Sequence, residues 1–444
     1  MRSGRTFARC IGFSAISLAD LQNSQQRQNV MNGGKRVKGR WLKRWLTVTG
    51  GITFCLFGGL LDESVARPTR RIRHTLPSVS ASHPASQLSA DHPLLPPAQT
   101  FEAALLQDAE TGQILFAQNS SKQWPAASLT KMMVALLTLE EIDGGHLFLQ
   151  TPVTISHRAA QAGGRAINLR AGEVFPLEEL LQAMVVTSAN DAAVAVAERL
   201  KGSVADCVVA MNRRAQELGM NQTRYQTVNG LPLTDGTPPD ISSAADMATL
   251  ARALVKHRQI LQWTSQHSIP FRDGRVMLPN TNHLVGKVAG VDGLKTGFTY
   301  KARFNLVTTA QRDQLRLIAV VMGGQSSQLR FRIAADLLEW GFAHFTRLRL
   351  IKSGEPVGAE VRVEHGSVST LQPVAAADAA FLLRKGEGED FQVSLQLPPV
   401  VAAPIARHQV LGELVVRNGT RVLAIIPALS PWDVPKARWF PAQR

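Results

Sequence analysis

The chain has 444 residues, 45% of them hydrophobic, enough for two or three domains around sizeable cores. Its net charge of +15 invites a nucleic-acid reading, but fourteen Lys and Arg against three Asp and Glu fall within residues 1–73. The remainder is only mildly basic, so no nucleic-acid partner is expected. Cys10 and Cys55 lie in that leader and Cys207 stands alone after it, which excludes a disulfide framework and, with no Cys/His cluster of zinc spacing, a metal site.

The leader reads as an export signal. Lys35, Arg36, Lys38, Arg40, Lys43 and Arg44 form a basic run, and Leu46 to Leu61 is uncharged and mostly apolar. Ser64-Val65-Ala66 offers small residues for a signal peptidase, so cleavage is predicted after Ala66, with an uncleaved anchor as the alternative. Met31, just upstream of the basic run, is the predicted true start. Residues 67–98, rich in Pro, Ser, His and Ala, read as a flexible linker. Arg67, Arg70, Arg71 and Arg73 suit peripheral contact with the inner membrane, and suit a solvated linker better.

Structure is predicted to begin near Thr100, with two strands, Phe101 to Leu106 and Gln113 to Ala117, around a turn at Asp108–Gly112. Next comes Trp124-Pro-Ala-Ala-Ser128-Leu-Thr-Lys131, leading into an apolar run. Read as a helix start, it sets a hydroxyl and an amine on one face, one turn apart. A buried lysine stays neutral more easily, and a neutral amine can take a serine's proton. Residues 140–260 read mainly as helical. Phe175 to Val186 has helical spacing behind a proline, Asp191 to Leu200 is an apolar helix, and Asp240 to Asp246 opens another with Ser and Asp as caps. Ala302 to Ala310 and Leu315 to Met322 read as a hairpin, and Leu329 to Phe345 as a closing helix. A small all-β domain is predicted over 350–430, where Asn418-Gly419 marks a two-residue hairpin turn, with a tail over 431–444.

Two further motifs join Ser128 and Lys131. Ser188-Ala189-Asn190 sits between helical runs and can bring a hydroxyl and a carboxamide to a cleft. Lys295-Thr296-Gly297 leads into a strand pair; it offers a fixed cation, a hydroxyl, and a glycine that lets a ligand backbone lie close. Ser-x-x-Lys, a Ser-x-Asn-type triplet and Lys-Thr-Gly form the known signature of penicillin-binding proteins and class A β-lactamases. Over residues 100–430 the chain resembles the D-alanyl-D-alanine carboxypeptidases among the low-molecular-mass penicillin-binding proteins. The likeness extends to Asn190-Asp-Ala-Ala-Val194, Ser243-Ala-Ala-Asp-Met-Ala248, Val291-Asp-Gly-Leu-Lys-Thr-Gly-Phe-Thr299, Leu337-Leu-Glu-Trp-Gly-Phe342 and Ala403-Pro-Ile-Ala-Arg-His-Gln-Val-Leu-Gly412.

The resemblance implies an α+β fold. A β-lactamase/transpeptidase-like domain at 99–349, an antiparallel sheet between helices with a helical subdomain, precedes a β-sandwich at 350–430. It implies Ser128 as nucleophile, Lys131 as its base and Ser188 as proton relay. Asn190 would bond the substrate amide, and Lys295 and Thr296 the terminal carboxylate of a peptidoglycan stem peptide. The backbone N–H groups of Ser128 and Phe298 would form the oxyanion hole, with Gly297 beside them. Arg330 matches a family arginine near the carboxylate, or is an ordinary helix-surface charge. Penicillins would acylate Ser128; no cofactor is implied. Arg303 departs from the family's usual glycine, and as a long cation it could narrow the cleft, read an extra anion, or simply lie exposed at the surface. No Glu-x-x-x-Asn suited to β-lactam hydrolysis follows the second motif. The same motifs would also suit an endopeptidase acting on peptide cross-links, or a catalytically dead wall-binding protein.

Overall fold

The computed structural model describes residues 100–233, 236–386 and 390–438; the predicted export signal and linker lie outside them. Ala103–Asp108 and Ile114–Gln118 pair around the predicted turn, which Asp108 closes by accepting from the Thr111 N–H at 2.8 Å. These strands join the last three of the domain in one antiparallel sheet. Its order is Ile114–Gln118, Ala103–Asp108, Leu315–Gly324, Arg303–Arg312 and Val291–Thr299. Sheet strands thus come from both ends of the domain, and the helices between them form the inserted subdomain.

Alternation along the sheet explains its two cores. Leu105, Val307, Val320 and Met322 face the subdomain helices Lys131–Asp143 and Ala244–Leu254; Leu106, Leu306, Leu317 and Val321 face the closing helix Ser327–His344. Leu317–Met322 reads as one continuous apolar run because both of its faces are buried. The closing helix lies so near that a Cβ on Gly341 would fall 2.5 Å from Leu317 Cδ1.

Phe175 to Val186 is not the single helix its spacing predicts. Val174–Pro176 is a short strand paired with Pro152–Thr154, the helix is Leu177–Gln182, and Ala183–Thr187 forms a widened π-type turn. Pairing takes Phe175 out of helical geometry, and Pro176 has no N–H to give a preceding turn. The widened turn ends on Ser188 in the left-handed region, φ 70°.

Beyond the closing helix the regular elements of the described residues are all β-strands. Phe345–Ile351 pairs with Ala379–Arg384, and Val374–Ala375, Arg421–Leu429, Val410–Asn418 and Phe391–Gln396 form a second, four-stranded sheet. The predicted hairpin forms, but its two-residue turn is Gly419-Thr420, one residue past the predicted Asn418-Gly419: Asn418 ends the strand paired with Arg421, and Gly419 takes a φ of 54°. The chain stays attached after Leu429: Val434 is buried with Val361 and Ile405. Arg347, 1% exposed at its side chain, donates to both Asp108 carboxylate oxygens and so ties this β region to the first turn of the sheet.

Candidate active site

The segment before Ser128 is gripped from two sides. Trp124–Pro125 pairs with Ile241–Ser242, and the Ala126 N–H donates to the Asp240 carbonyl. From the sheet, Asn305 Nδ2 donates to the Pro125 and Ala126 carbonyls, and the Trp124 indole donates to the Ala302 carbonyl. Ser128 lies not in the α-helix itself but in a tight turn, Ala127–Thr130, that precedes Lys131–Asp143. The tight turn follows from Ala127, whose φ of 49° no α-helix accepts. Gly297 serves this packing: a Cβ there would sit 3.0 Å from the Ala126 carbonyl oxygen. The glycine that sequence alone assigned to ligand approach thus also relieves crowding against the nucleophile turn.

Lys131 is wholly buried and sits 2.9 Å from Ser128 Oγ. Its Nζ also donates to Asn190 Oδ1 at 2.7 Å and to the Asn229 carbonyl at 2.6 Å. Burial brings its pKa down to about 7, against the opposing pull of Asp240 and Asp191. Sequence reasoning found Lys131 and Asn190 but missed what holds them. Asp240, in the stretch whose Ser and Asp residues read as available caps, is buried and accepts from the hydroxyls of Thr130 and Thr227 and the backbone N–H groups of Gln226 and Thr227. Ser243 is the cap. The loop that Asp240 holds delivers Asn229, and Gly230 is obligatory there, since a Cβ would fall 2.0 Å from the Ala127 oxygen. The Asn229-Gly230 pair was the available signal.

Asn190 links the two walls of the subdomain side. Its Nδ2 donates to the Gly163 carbonyl at 2.7 Å and its backbone N–H to the Arg165 carbonyl. Asp191 accepts from the Ile167 and Leu169 N–H groups, pinning the same loop. Ser188 lines the cavity beside them.

On the sheet side, Lys295 is 1% exposed and donates to the Thr296 carbonyl at 2.9 Å. Burial, then the positive charges of Lys131, Arg165 and Arg330, hold its pKa well below the usual lysine range. The expected fixed cation is therefore a destabilised one in the protein by itself. Arg330 is no surface charge: it is 7% exposed, with its guanidinium between the rings of Phe304 and Phe331. It donates to the Gly297 and Asn305 carbonyls, and no carboxylate among the described residues pairs with it. Burial lowers its pKa to about 10. Ser128, Ser188, Asn190, Thr296, Gly297, Phe298 and Arg330 line one cavity of about 1010 Å³.

Two sequence-based readings resolve differently. Arg303 is not among the residues lining this cavity; its side chain is exposed at the surface, pairs with Glu102 at 3.0 Å and lies over the Trp124 ring. Cys207 is buried and its thiol is pushed up to about 12, so it is packed and unreactive.

Comparison with known proteins fits this geometry. Residues 91–326 match the family profile described as D-alanyl-D-alanine carboxypeptidase, and residues 345–436 match the C-terminal domain of penicillin-binding protein 5. The D-alanyl-D-alanine carboxypeptidase DacF of Bacillus subtilis is 34% identical over 340 residues, 76% of this chain and 86% of the relative. The crystal structure of penicillin-binding protein 6B from Escherichia coli superposes with a TM-score of 0.60 at 29% identity, covering 79% of this chain and 100% of that one. Penicillin-binding protein D2 from Listeria monocytogenes, solved in its ampicillin-bound form, covers 55% of this chain and 97% of its own at 33% identity and a TM-score of 0.50. With more than half its length under one profile, this chain belongs to the D-alanyl-D-alanine carboxypeptidase family of serine peptidases, the S11 peptidases.

Proposed function

We propose that the protein removes the terminal D-alanine from peptidoglycan stem pentapeptides through an acyl-enzyme on Ser128. The observation that carries the reading is the 2.9 Å contact between Ser128 Oγ and a wholly buried Lys131 whose pKa lies near 7. A neutral amine has two N–H bonds and one lone pair. The Asn190 and Asn229 oxygens take the two N–H bonds. The lone pair is left for the serine proton. Ser128 Oγ attacks the carbonyl between the two D-alanines as Lys131 takes that proton. The backbone N–H groups of Ser128 and Phe298 receive the oxyanion; losing one such donor typically costs about 3 kcal/mol. Ser188 relays the proton to the departing amine, the C–N bond breaks, and water then hydrolyses the ester. Lys295, Thr296 and Arg330 hold the terminal carboxylate, and Asn190 keeps one N–H for the substrate amide. A penicillin offers a strained amide and a carboxylate to the same groups and acylates Ser128.

The predicted leader and linker support a location in the periplasm or cell envelope. The test is incubation with purified pentapeptide muropeptide, scoring free D-alanine from wild type and Ser128→Ala. Release by the wild type alone supports the reading; equal release by both removes Ser128 from the mechanism.

A further inference from the structure

We propose that Thr281 is a positioning residue for proton transfer to the leaving amine: it holds the Val186 carbonyl and so sets the turn that aims Ser188. This rests on the carboxypeptidase reading and deepens its relay step.

The first observation is what Ser188 lacks. It lines the cavity, and its hydroxyl makes no hydrogen bond among the described residues, so its aim depends on its backbone. That backbone is left-handed, φ 70°, a conformation a serine keeps only where its surroundings impose it. The turn before it, Ala183–Thr187, ends irregularly: the Ser188 and Ala189 N–H groups both donate to the Ala183 carbonyl. The Asn190 N–H, the α-helical donor for the Val186 carbonyl, goes instead to the Arg165 carbonyl at 2.7 Å. Thr281 supplies other donors. Its N–H and its hydroxyl reach the Val186 carbonyl at 3.1 and 3.2 Å. Val186 is wholly buried, where a carbonyl left unpaired is costly and one doubly paired is fixed.

The second observation is what holds Thr281. It follows the short strand Val276–Pro279 and stands between two asparagines whose side chains are spent on backbone groups. Asn280 Nδ2 donates to the Thr264 and Gln266 carbonyls at 2.9 and 2.8 Å, and its Oδ1 accepts from the Asn282 N–H at 2.8 Å. Asn282 is 2% exposed; its Nδ2 donates to the Gly293 carbonyl at 2.8 Å, and its Oδ1 accepts from the Leu284 N–H at 3.2 Å. Gly293 lies two residues before Lys295 on the motif strand Val291–Thr299. The loop is therefore a strut. It runs from the strand that carries Lys295 and Thr296 to the turn that carries Ser188, and it fixes the two sides of the cleft against each other. A misplacement of about 1 Å at a reacting group can cost about a hundredfold in rate.

The test uses a leaving group that needs no proton. In a D-Ala-D-Ala peptide the C–N bond breaks as Ser188 passes a proton to the nitrogen. In the matching thioester, with D-thiolactate in place of the last D-alanine, the electron pair of the C–S bond leaves on sulfur as a thiolate, and the Ser128 proton stays on Lys131. Both substrates keep the terminal carboxylate, and kcat/KM reports acylation for both. Thr281→Val keeps the backbone bond to Val186 and loses the hydroxyl bond, a difference of about fivefold. It should lower kcat/KM for the amide by about that factor and leave the thioester nearly unchanged, and Thr281→Ser should restore the amide. Ser188→Ala is the reference, expected to lower the amide by about a hundredfold or more and the thioester far less. In a Ser188→Ala background Thr281→Val should add nothing to the loss of penicillin acylation, as for residues that act as one unit. Thioester turnover by each variant shows that the cleft is folded. An equal fall with both substrates, no fall with either, or a further fivefold loss in the Ser188→Ala background overturns the proposal and leaves the carboxypeptidase reading standing. If Ser188→Ala itself lowers both substrates alike, the relay step fails and Thr281's role with it, while D-alanine release that Ser128→Ala abolishes still upholds the acyl-enzyme.

Discussion

The two walls of the cleft each bury one lysine, and they treat it differently. On the helical wall Lys131 has three oxygen partners and two carboxylates within electrostatic reach, Asp240 and Asp191. On the sheet wall Lys295 has one carbonyl partner and only cations around it, Lys131, Arg165 and Arg330. Desolvation lowers the pKa of both. At Lys131 the nearby acids hold the fall at about 7, where both protonation states are populated near neutral pH. At Lys295 no carboxylate among the described residues opposes the fall, and a substrate carboxylate would. Under the proposed mechanism, one wall is complete in the free protein and the other is completed by the ligand.

The contrast breaks most completely at Lys131. A positioned general base is worth about 10²- to 10⁴-fold. Lys131→Ala should lower the rate of penicillin acylation by that factor, measured by stopped-flow labelling, because Ser128 then has no proton acceptor. In the wild type the reactive form is the neutral amine. Acylation should rise with pH through about 7 and level off above it. At one pH unit below the midpoint about a tenth of the enzyme is competent. A flat profile from pH 6 to 8 would show that Lys131 is not the base.

Lys295 should matter less and in another way. Removing one partner of a buried charge pair costs about 2–5 kcal/mol. Lys295→Gln is expected to weaken kcat/KM for D-Ala-D-Ala peptides by roughly thirtyfold or more. The sharper readout is proton uptake. Burial and neighbouring cations depress the pKa of Lys295 in the free protein, and a carboxylate beside it raises that pKa again. Between the two values, binding draws a proton from solution. Titration calorimetry of Ser128→Ala with a penicillin, run in buffers of different ionisation enthalpy, should show uptake that disappears in the Ser128→Ala/Lys295→Gln double variant. Proton release on binding would contradict the account.

Sequence alone singled out residues that the structure brings together, and missed what supports them. Ser128, Lys131, Ser188, Asn190, Lys295 and Thr296 are legible because their types and order repeat a known signature, and the structure gathers them about one cavity. The sheet strands are legible because alternation and continuous apolar runs follow from which faces are buried. The Ser188 turn is not, because Phe175 to Val186 has helical spacing until pairing with Val153 and the constraint of Pro176 override it. Nor is Asp240. A carboxylate just before Ser-Ser-Ala resembles a cap, and only tertiary contact reveals that its donors come from Thr130 and a loop at Gln226–Thr227. Arg303 shows the same gap, since its partner Glu102 lies at the opposite end of the domain's sequence.

Asp240 offers the smallest and most discriminating test. Its carboxylate ties Thr130, the neighbour of Lys131, to the loop that presents the Asn229 carbonyl. It also favours the ammonium form of Lys131 through space, as does Asp191 from the helix Asn190–Lys201, while Lys295 bears on the same site from the sheet with the opposite sign. Asp240→Asn keeps Oδ1 as acceptor for the Gln226 and Thr227 N–H groups, turns the Oδ2 that accepts from the Thr130 and Thr227 hydroxyls into an NH2 donor, and removes the charge. The lost charge-assisted bonds should cost about 1–3 kcal/mol of stability, seen as a lower melting temperature. The pH profile separates support from tuning. With less negative charge nearby, the pKa of Lys131 falls further, the neutral amine persists into more acidic solution, and the rising limb of acylation moves to lower pH. A variant that merely loosens the turn would lose plateau rate with the limb unmoved, and Asp240 would then be a strut with no part in setting the base.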